Sequence, residues 1–114
     1  MTATVLFGLA TCDSCRKAQR WLKDNQRDFS FHDVRRDGLT IQMLERWADA
    51  VGWERLVNRK SLTWRKIPSL DRDNLDRNRA LALLLENPTL LKRPVLEIGA
   101  DVVVGFDAAA YAAC

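Results

Sequence analysis

The stretch that decides the fold is Val5-Leu6-Phe7-Gly8-Leu9-Ala10-Thr11-Cys12-Asp13-Ser14-Cys15-Arg16-Lys17-Ala18, in which an apolar run leads into a Cys-x-x-Cys pair. Residues 4–8 have the length and composition of a short buried strand that ends at Gly8. Helical spacing then relates the apolar positions that follow, Cys15, Ala18, Trp21 and Leu22. The sequence therefore predicts a strand, a loop that carries Cys12, and an amphipathic helix.

Cys12 lies where this helix is expected to begin. The first backbone N–H groups of a helix lack partners within it, and the helix dipole adds roughly half a positive charge there. Both effects stabilise a thiolate, and Arg16 and Lys17 are expected to lower the pKa of Cys12 further. Cys15, one turn deeper, is placed to attack a mixed disulfide formed on Cys12. The pattern is typical of thiol redox chemistry; a pair of inert buried cysteines is the alternative.

Length and composition predict one domain over residues 1–114, because 114 residues with 47% hydrophobic content suffice for a single core. No apolar run approaches the ~20 residues of a membrane span, no secretory signal is recognised, and three cysteines are too few for a disulfide framework. We therefore expect a cytoplasmic protein without membrane contact. The net charge of +3 is too small and too evenly spread to indicate direct nucleic-acid binding.

The middle of the chain combines one strand with several helical patterns. Alternating polarity at residues 29–34 predicts a half-buried strand. Thr40 is a suitable N-cap for a helix that Gly52 ends, and a short helical piece follows at residues 53–57. An aperiodic loop is predicted at residues 58–68. A further helix, capped by Ser69 or by a residue among 71–73, is expected to run to Glu86.

The end of the chain predicts a hairpin and a last helix. Residues 95–98 and 102–104 flank the three-residue loop Gly99-Ala100-Asp101, and Asp107 is a suitable cap for an alanine-rich helix. This order of elements predicts an α/β fold with a small mixed β-sheet and a helical insertion at about residues 39–88. The Cys-x-x-Cys pair at the first strand-to-helix junction indicates the thioredoxin-like version of that class.

An ordered set of short motifs resembles one protein family over nearly the whole chain. The motifs are Thr11-Cys12-Asp13-Ser14-Cys15-Arg16-Lys17-Ala18, Phe31-His32-Asp33, Gly52-Trp53, Leu56-Val57-Asn58-Arg59, Thr63-Trp64-Arg65-Lys66 and Lys92-Arg93-Pro94. Together they are similar to the ArsC/Spx/YffB family, whose fold is a thioredoxin-like domain with a helical insertion. Residues 31–66 are most similar to the YffB branch, whereas Cys15 matches the Spx branch.

The resemblance implies a thiol oxidoreductase of the arsenate reductase (ArsC) family with Cys12 as the nucleophile. Cys15 is then the resolving or switch thiol, and Arg93 precedes a cis-proline, Pro94, that faces the active loop. A guanidinium at that place stabilises the thiolate and grips an anion. No bound cofactor is implied; glutathione is the expected co-substrate, with a glutaredoxin- or thioredoxin-type protein as a further possible reductant.

Other charged residues have weaker predicted roles. Arg59, Lys60 and Arg65 are candidates for binding glutathione or another anion, with surface solvation as the alternative. Of the three arginines that hold arsenate in this family, only Arg93 carries over. Asn58 stands at the first of the other two positions, and Gly105 or Phe106 at the second. Arsenate is therefore an uncertain substrate.

The alternative function is a redox-sensing regulator of the Spx kind, in which Cys12 and Cys15 form a switch that controls contact with RNA polymerase. The extended basic tail typical of Spx does not follow Cys114, so a reductase is favoured. His32, the one histidine, is expected to make a structural hydrogen bond, and Cys114 to be an incidental thiol. Two paired cysteines without a second paired spacing do not make a zinc site, so no metal is expected.

Overall fold

The computed structural model describes residues 3–114, which divide into two compact units. One unit comprises residues up to Gly38 together with Arg93–Cys114, and the other comprises Leu39–Lys92. The first contains the sheet and the Cys-x-x-Cys pair, and we call it the sheet unit. The second contains no strand longer than an isolated bridge among its residues, and we call it the helical unit.

The sheet unit is built on four strands. They are β1 (Thr4–Gly8), β2 (Ser30–Asp33), β3 (Val95–Ile98) and β4 (Asp101–Val104), with helix α1 (Asp13–Asp24) between the first two. The strand order is β2-β1-β3-β4; β1 and β2 are parallel, while β3 is antiparallel to both β1 and β4. The predicted small mixed sheet is therefore confirmed.

The core of the sheet unit lies where α1 and the last helix of the chain cover the strands. Ala18 and Leu22 of α1 are completely buried with Leu6 of β1 and Leu96 of β3. Tyr111, from the C-terminal helix Ala108–Ala113, completes this cluster and contacts the Trp21 ring edge-on. The apolar face that the sequence assigned to α1 is therefore the face that packs on the sheet.

The helical unit contains α2 (Ile41–Val51), α3 (Leu62–Lys66), α4 (Ser69–Asp73) and α5 (Arg77–Glu86), with two 3₁₀ turns at Trp53–Leu56 and Pro88–Leu90. The predicted start and end of α2 are confirmed, because the Thr40 side chain accepts a hydrogen bond from the Met43 N–H and the helix ends at Gly52. Helix α2 packs against α5. In chain order, the C-terminal helix Ala108–Ala113 of the sheet unit is α6.

Two predictions for this unit are wrong. Residues 58–68 are not all loop: the Ser61 hydroxyl accepts from the Trp64 N–H at 3.1 Å and begins α3, a single turn too short for periodicity to reveal. The helix predicted to run to Glu86 is two helices, since α4 ends at Asp73 and Asp76 caps α5 by accepting from the Arg79 N–H at 2.8 Å.

The hairpin loop also differs from the prediction. Asp101 pairs with Ile98 as a strand residue, which leaves only Gly99 and Ala100 between β3 and β4. Gly99 has a φ of +61°, a conformation that glycine adopts readily and that suits a two-residue hairpin. The second strand is one residue shorter at each end than predicted. None of the helices among the described residues is long and apolar enough to cross a membrane.

Candidate active site

Cys12 is the N-cap residue of α1, as predicted. Its backbone is extended, its carbonyl accepts the first helical hydrogen bond from the Arg16 N–H at 3.0 Å, and its own N–H donates to the Leu9 carbonyl at 3.1 Å. The side chain is half-buried, and its sulfur does not cap the helix through a hydrogen bond. The thiol thus lies at the open end of the helix, where backbone N–H dipoles act on it.

The surroundings of Cys12 favour its thiolate. Partial burial works against the charge, but the Cys15 N–H and thiol, the positive charge of Arg93 and the Ser14 N–H together hold the pKa of Cys12 below its ordinary value. The sequence predicts contributions from Arg16 and Lys17, and the cation that contributes here is Arg93. Arg16 instead donates to the Thr11 carbonyl at 2.9 Å and pairs with Asp13 at 3.3 Å. The pKa of Cys12 is therefore lowered, as the sequence predicts, with Arg93 as a contributing cation.

Cys15 has the opposite environment. Its side chain is completely buried, and its Sγ accepts a hydrogen bond from the Leu9 N–H at 3.4 Å. Burial raises the pKa of Cys15 to about 12, and the neighbouring Cys12 adds to the shift, so that the Leu9 N–H and Arg93 offset only part of it. The two neighbouring cysteines are therefore chemically distinct: the environment of half-buried Cys12 favours its thiolate, and that of buried Cys15 favours its thiol. No disulfide joins them.

Arg93 and Pro94 lie in the sheet unit with Cys12. The peptide bond between them is cis, as the resemblance implied, and the Pro94 carbonyl accepts from the Gly105 N–H at 2.8 Å. The Nε and Nη1 atoms of Arg93 are buried and have no hydrogen-bond partner among the described residues. A guanidinium with unfilled donors beside a thiolate is suited to hold an anion against that thiolate.

The other predicted anion-binding residues belong to the helical unit. Arg59 and Lys60 line a cavity of about 290 Å³ together with Val57, Asn58 and Lys92. The Arg59 guanidinium also lies over the Trp64 ring, 5.4 Å from its centroid. Arg65 is an exposed residue of α3 and is not among the side chains that line this cavity. The groups that lower the pKa of Cys12, in contrast, belong to the sheet unit.

Two further predictions have structural outcomes. The predicted structural hydrogen bond of His32 is confirmed, because its Nε2 donates to the Gly38 carbonyl at 2.7 Å. Cys114 is exposed at the end of α6, and its role stays a prediction. Within the described part of the chain, no three side chains of His, Cys, Asp or Glu are grouped to hold a metal ion.

Sequence reasoning missed two residues that shape the site. Asp33, the last residue of β2, is buried and accepts from the Ala10 N–H of the Cys12 loop at 3.0 Å. Gly8, the last residue of β1, leaves space that the Cys15 sulfur occupies. The signal that could have found both is their position at the ends of predicted strands. The ends of neighbouring parallel strands meet at one edge of the sheet, where α/β folds place their sites.

Two sequence relatives cover almost all of the chain. An uncharacterized protein of Haemophilus influenzae is 38% identical over 108 residues, which make up 95% of each protein. The global transcriptional regulator Spx 1 of Lactococcus lactis subsp. lactis is 31% identical over 104 residues, covering 90% of this chain and 80% of the regulator.

Solved structures reproduce the fold. The YffB protein PA3664 matches with a TM-score of 0.93 at 39% identity, over 97% of both chains. An arsenate reductase (ArsC) related protein from Brucella melitensis matches with a TM-score of 0.79 at 40% identity, over 97% of this chain and 92% of its own.

A more distant match places the fold in its class. The glutaredoxin of Archaeoglobus fulgidus has a TM-score of 0.51 at 16% identity, over 97% of this chain and 83% of its own, and shares the thioredoxin-like fold alone. The family relation is much closer: because the model of the ArsC family matches residues 7–114, the chain belongs to the ArsC family.

Proposed function

We propose that this chain is a glutathione-linked thiol oxidoreductase in which Cys12 is the nucleophile. The observation that carries the proposal is the contrast between two neighbouring thiols. The pKa of half-buried Cys12 is lowered, whereas that of buried Cys15 is raised to about 12. The thiolate therefore forms more readily on Cys12, the sulfur that solvent reaches, than on Cys15.

In the proposed reaction, the Cys12 thiolate attacks the glutathione sulfur of a mixed disulfide. A bond forms between Cys12 and glutathione, the substrate disulfide breaks, and the substrate sulfur leaves as a thiolate that takes a proton from water. A second glutathione thiolate then attacks the adduct, which releases oxidised glutathione and restores the Cys12 thiolate. The net reaction converts one mixed disulfide and one glutathione into a free thiol and oxidised glutathione.

Cys15 offers a second way to resolve the adduct. Its thiolate would attack the Cys12 sulfur, form a Cys12–Cys15 disulfide and release glutathione; a glutaredoxin- or thioredoxin-type dithiol would then reduce that disulfide. Burial and the high pKa of Cys15 slow this route, because attack requires its thiolate. We therefore place resolution by glutathione first.

We assign Arg93 to the binding of the substrate's anionic group. Its buried Nε and Nη1 atoms have no hydrogen-bond partner among the described residues, so the guanidinium has donors left for an anionic group such as a carboxylate of glutathione. Arg59, Lys60 and Arg65 remain weaker candidates for anion binding. Arsenate is not proposed as the substrate, because Asn58 stands where the family places the first of its three arginines.

The pH dependence of alkylation tests the proposal. A Cys114→Ser background removes the exposed thiol that would react independently. We expect iodoacetamide to label Cys12 near pH 6 faster than an unstructured cysteine peptide, since a lowered pKa raises the fraction of thiolate at that pH. Peptide mass spectrometry assigns the label. Labelling of Cys12 no faster than that of the peptide overturns the proposal.

Incubation with oxidised glutathione separates the two resolving routes. Resolution by glutathione predicts a stable Cys12 adduct in the Cys114→Ser protein, and the same adduct when Cys15→Ser is added. Resolution by Cys15 predicts loss of the adduct to an internal disulfide, and its persistence only with Cys15→Ser. Intact-mass spectrometry distinguishes the two, because the adduct adds the mass of glutathione and the disulfide does not.

A regulator of the Spx kind is the second candidate. It is favoured by Cys15, which lies next to Cys12 and permits a disulfide switch, and by the 31% identity to Spx 1. This function predicts that purified RNA polymerase retains the oxidised chain and the reduced chain to different extents. Equal retention in both states, together with turnover of a glutathione mixed disulfide, favours the reductase.

A further inference from the structure

We infer that Asp33 is a positioning residue for Cys12, acting through its hydrogen bond to the loop that leads into α1. The inference rests on the proposed role of Cys12 and adds the residue that keeps this thiol at the helix start. Asp33 is the last residue of β2 and lies beside Gly8, the last residue of β1, in the parallel register. Its carboxylate therefore reaches the segment that follows β1.

The Asp33 carboxylate connects two segments of the sheet unit. Its Oδ2 accepts from the Ala10 N–H at 3.0 Å, in the loop before Cys12. Its Oδ1 accepts from the Arg35 and Arg36 N–H groups at 2.9 and 3.0 Å, in the turn after β2. Asp33 is only 7% exposed, so these bonds are partly shielded from water, and hydrogen bonds to a charged group are stronger than neutral ones.

The bond to Ala10 controls a short and constrained loop. On either side of Ala10, the Cys12 N–H donates to the Leu9 carbonyl at 3.1 Å, and the Leu9 N–H donates to the Cys15 Sγ. Displacement of this loop therefore moves Cys12 away from the Ser14 and Cys15 N–H groups that stabilise its thiolate. Without the carboxylate, the Ala10 N–H loses the acceptor that holds the loop in place.

The direction in which the pKa of Cys12 changes distinguishes positioning by Asp33 from a direct effect of its negative charge. A negative charge near Cys12 disfavours its thiolate, so removal of a carboxylate that acted through its charge would lower the pKa of Cys12. The groups that lower the pKa of Cys12 are Cys15, Arg93 and Ser14, whereas Asp33 bonds to the Ala10 N–H of the loop. Positioning predicts the opposite result, a rise in the pKa of Cys12 when Asp33 is removed.

The test measures the alkylation profile of Cys12 in the Cys114→Ser background. We expect Asp33→Ala to raise the apparent pKa of Cys12 and to slow its labelling near pH 6 about tenfold per pKa unit. Asp33→Asn keeps one acceptor oxygen and should give a smaller shift. It also serves as the readout if Asp33→Ala fails to unfold cooperatively in urea.

Asp37→Ala is the matched control. The Asp37 carboxylate binds the same turn, accepting from the Asp33 N–H at 3.0 Å and pairing with Arg36, but it makes no bond to the Cys12 loop. We expect the alkylation profile of Cys12 to be unchanged in this variant. An equal shift in Asp37→Ala and Asp33→Ala would assign the effect to general loosening of the turn and overturn the inference.

Two other outcomes also overturn it: an unchanged Cys12 profile in both folded Asp33 variants, or a lowered pKa of Cys12. The parent protein separates this failure from that of the proposed function. If Cys12 of the parent reacts like an ordinary cysteine, the proposed function fails. If the parent is activated and the Asp33 variants match it, only the positioning role fails.

Discussion

At the residue scale, one missing side chain determines how Cys15 is held. A Cβ built on Gly8 would approach the Cys15 Sγ to within a distance that real atoms do not adopt, and would lie 3.3 Å from the Cys15 Cβ. The sulfur therefore occupies space that only glycine leaves at the end of β1. This contact, together with the Leu9 N–H, keeps the Cys15 thiol buried beneath the Cys12 loop.

Gly8→Ala should destabilise the protein by about 1–3 kcal/mol, the usual cost of extra volume in a packed core. The cost should fall when Cys15→Ala is combined with it, because the clash with the sulfur is then removed. Urea denaturation of the parent, the two single variants and the double variant measures this coupling. Additive free energies would show that the sulfur is not what Gly8 accommodates.

The site could be predicted from sequence only where its interactions are local. The placement of Cys12 at the helix start follows from residues within one turn of it, and it is confirmed. Arg93 acts on Cys12 from a distant part of the chain, and here the resemblance to a family supplied what periodicity lacks. Asp33 was present in a quoted motif, but its bond to Ala10 depends on the pairing of two strands.

At the scale of elements, helix boundaries in the helical unit are set by capping side chains. Several residues between Ser69 and Asp76 are chemically suitable caps, and the sequence does not rank them. In the structure, Asp76 accepts from the Arg79 N–H and begins α5. A second helix start at Ser61 shows the same dependence, because α3 is a single turn defined by its cap more than by an apolar face.

Asp76→Ala should lower the free energy of unfolding by about 1 kcal/mol, the usual cost of removing an N-cap side chain. Asp73→Ala is the control, since Asp73 is an exposed residue at the end of α4 and has no capping bond. We expect that variant to stay within about 0.5 kcal/mol of the parent. Urea denaturation measures both, and a larger loss in Asp73→Ala would assign the cap to Asp73, one of the alternatives that the sequence offers.

At the scale of the whole molecule, the types of connection predict the relative direction of consecutive strands. A helix joins β1 to β2, which is the usual connection of a parallel pair, and a two-residue loop joins β3 to β4, which is too short for any but an antiparallel pair. The mixed sheet was therefore predictable. The pairing of β1 with β3 joins two segments that the helical unit separates in sequence. Composition and periodicity do not predict contacts between segments so far apart in the chain.

Acid should destabilise the whole molecule in part through Asp33. The Arg36 N–H is the main cause that holds the pKa of this carboxyl below its ordinary value; burial opposes it, and the Ala10 and Arg35 N–H groups assist. The folded chain then binds fewer protons than the unfolded one below about pH 4, the ordinary pKa of aspartate. Stability from Asp33 is thus complete above that pH and is lost as the pH falls through the folded-state pKa.

Asp33→Asn removes this titration, so its urea midpoint should fall less between about pH 5 and about pH 3 than the midpoint of the parent. The variant should still be the less stable protein at neutral pH, because it loses charged hydrogen bonds. Asp37, whose pKa is lowered to about 2 chiefly by the Arg36 side chain, is present in both proteins and contributes to both curves. Parallel curves would mean that the Asp33 carboxylate adds no acid sensitivity, and that its bonds to Ala10, Arg35 and Arg36 persist when it is protonated.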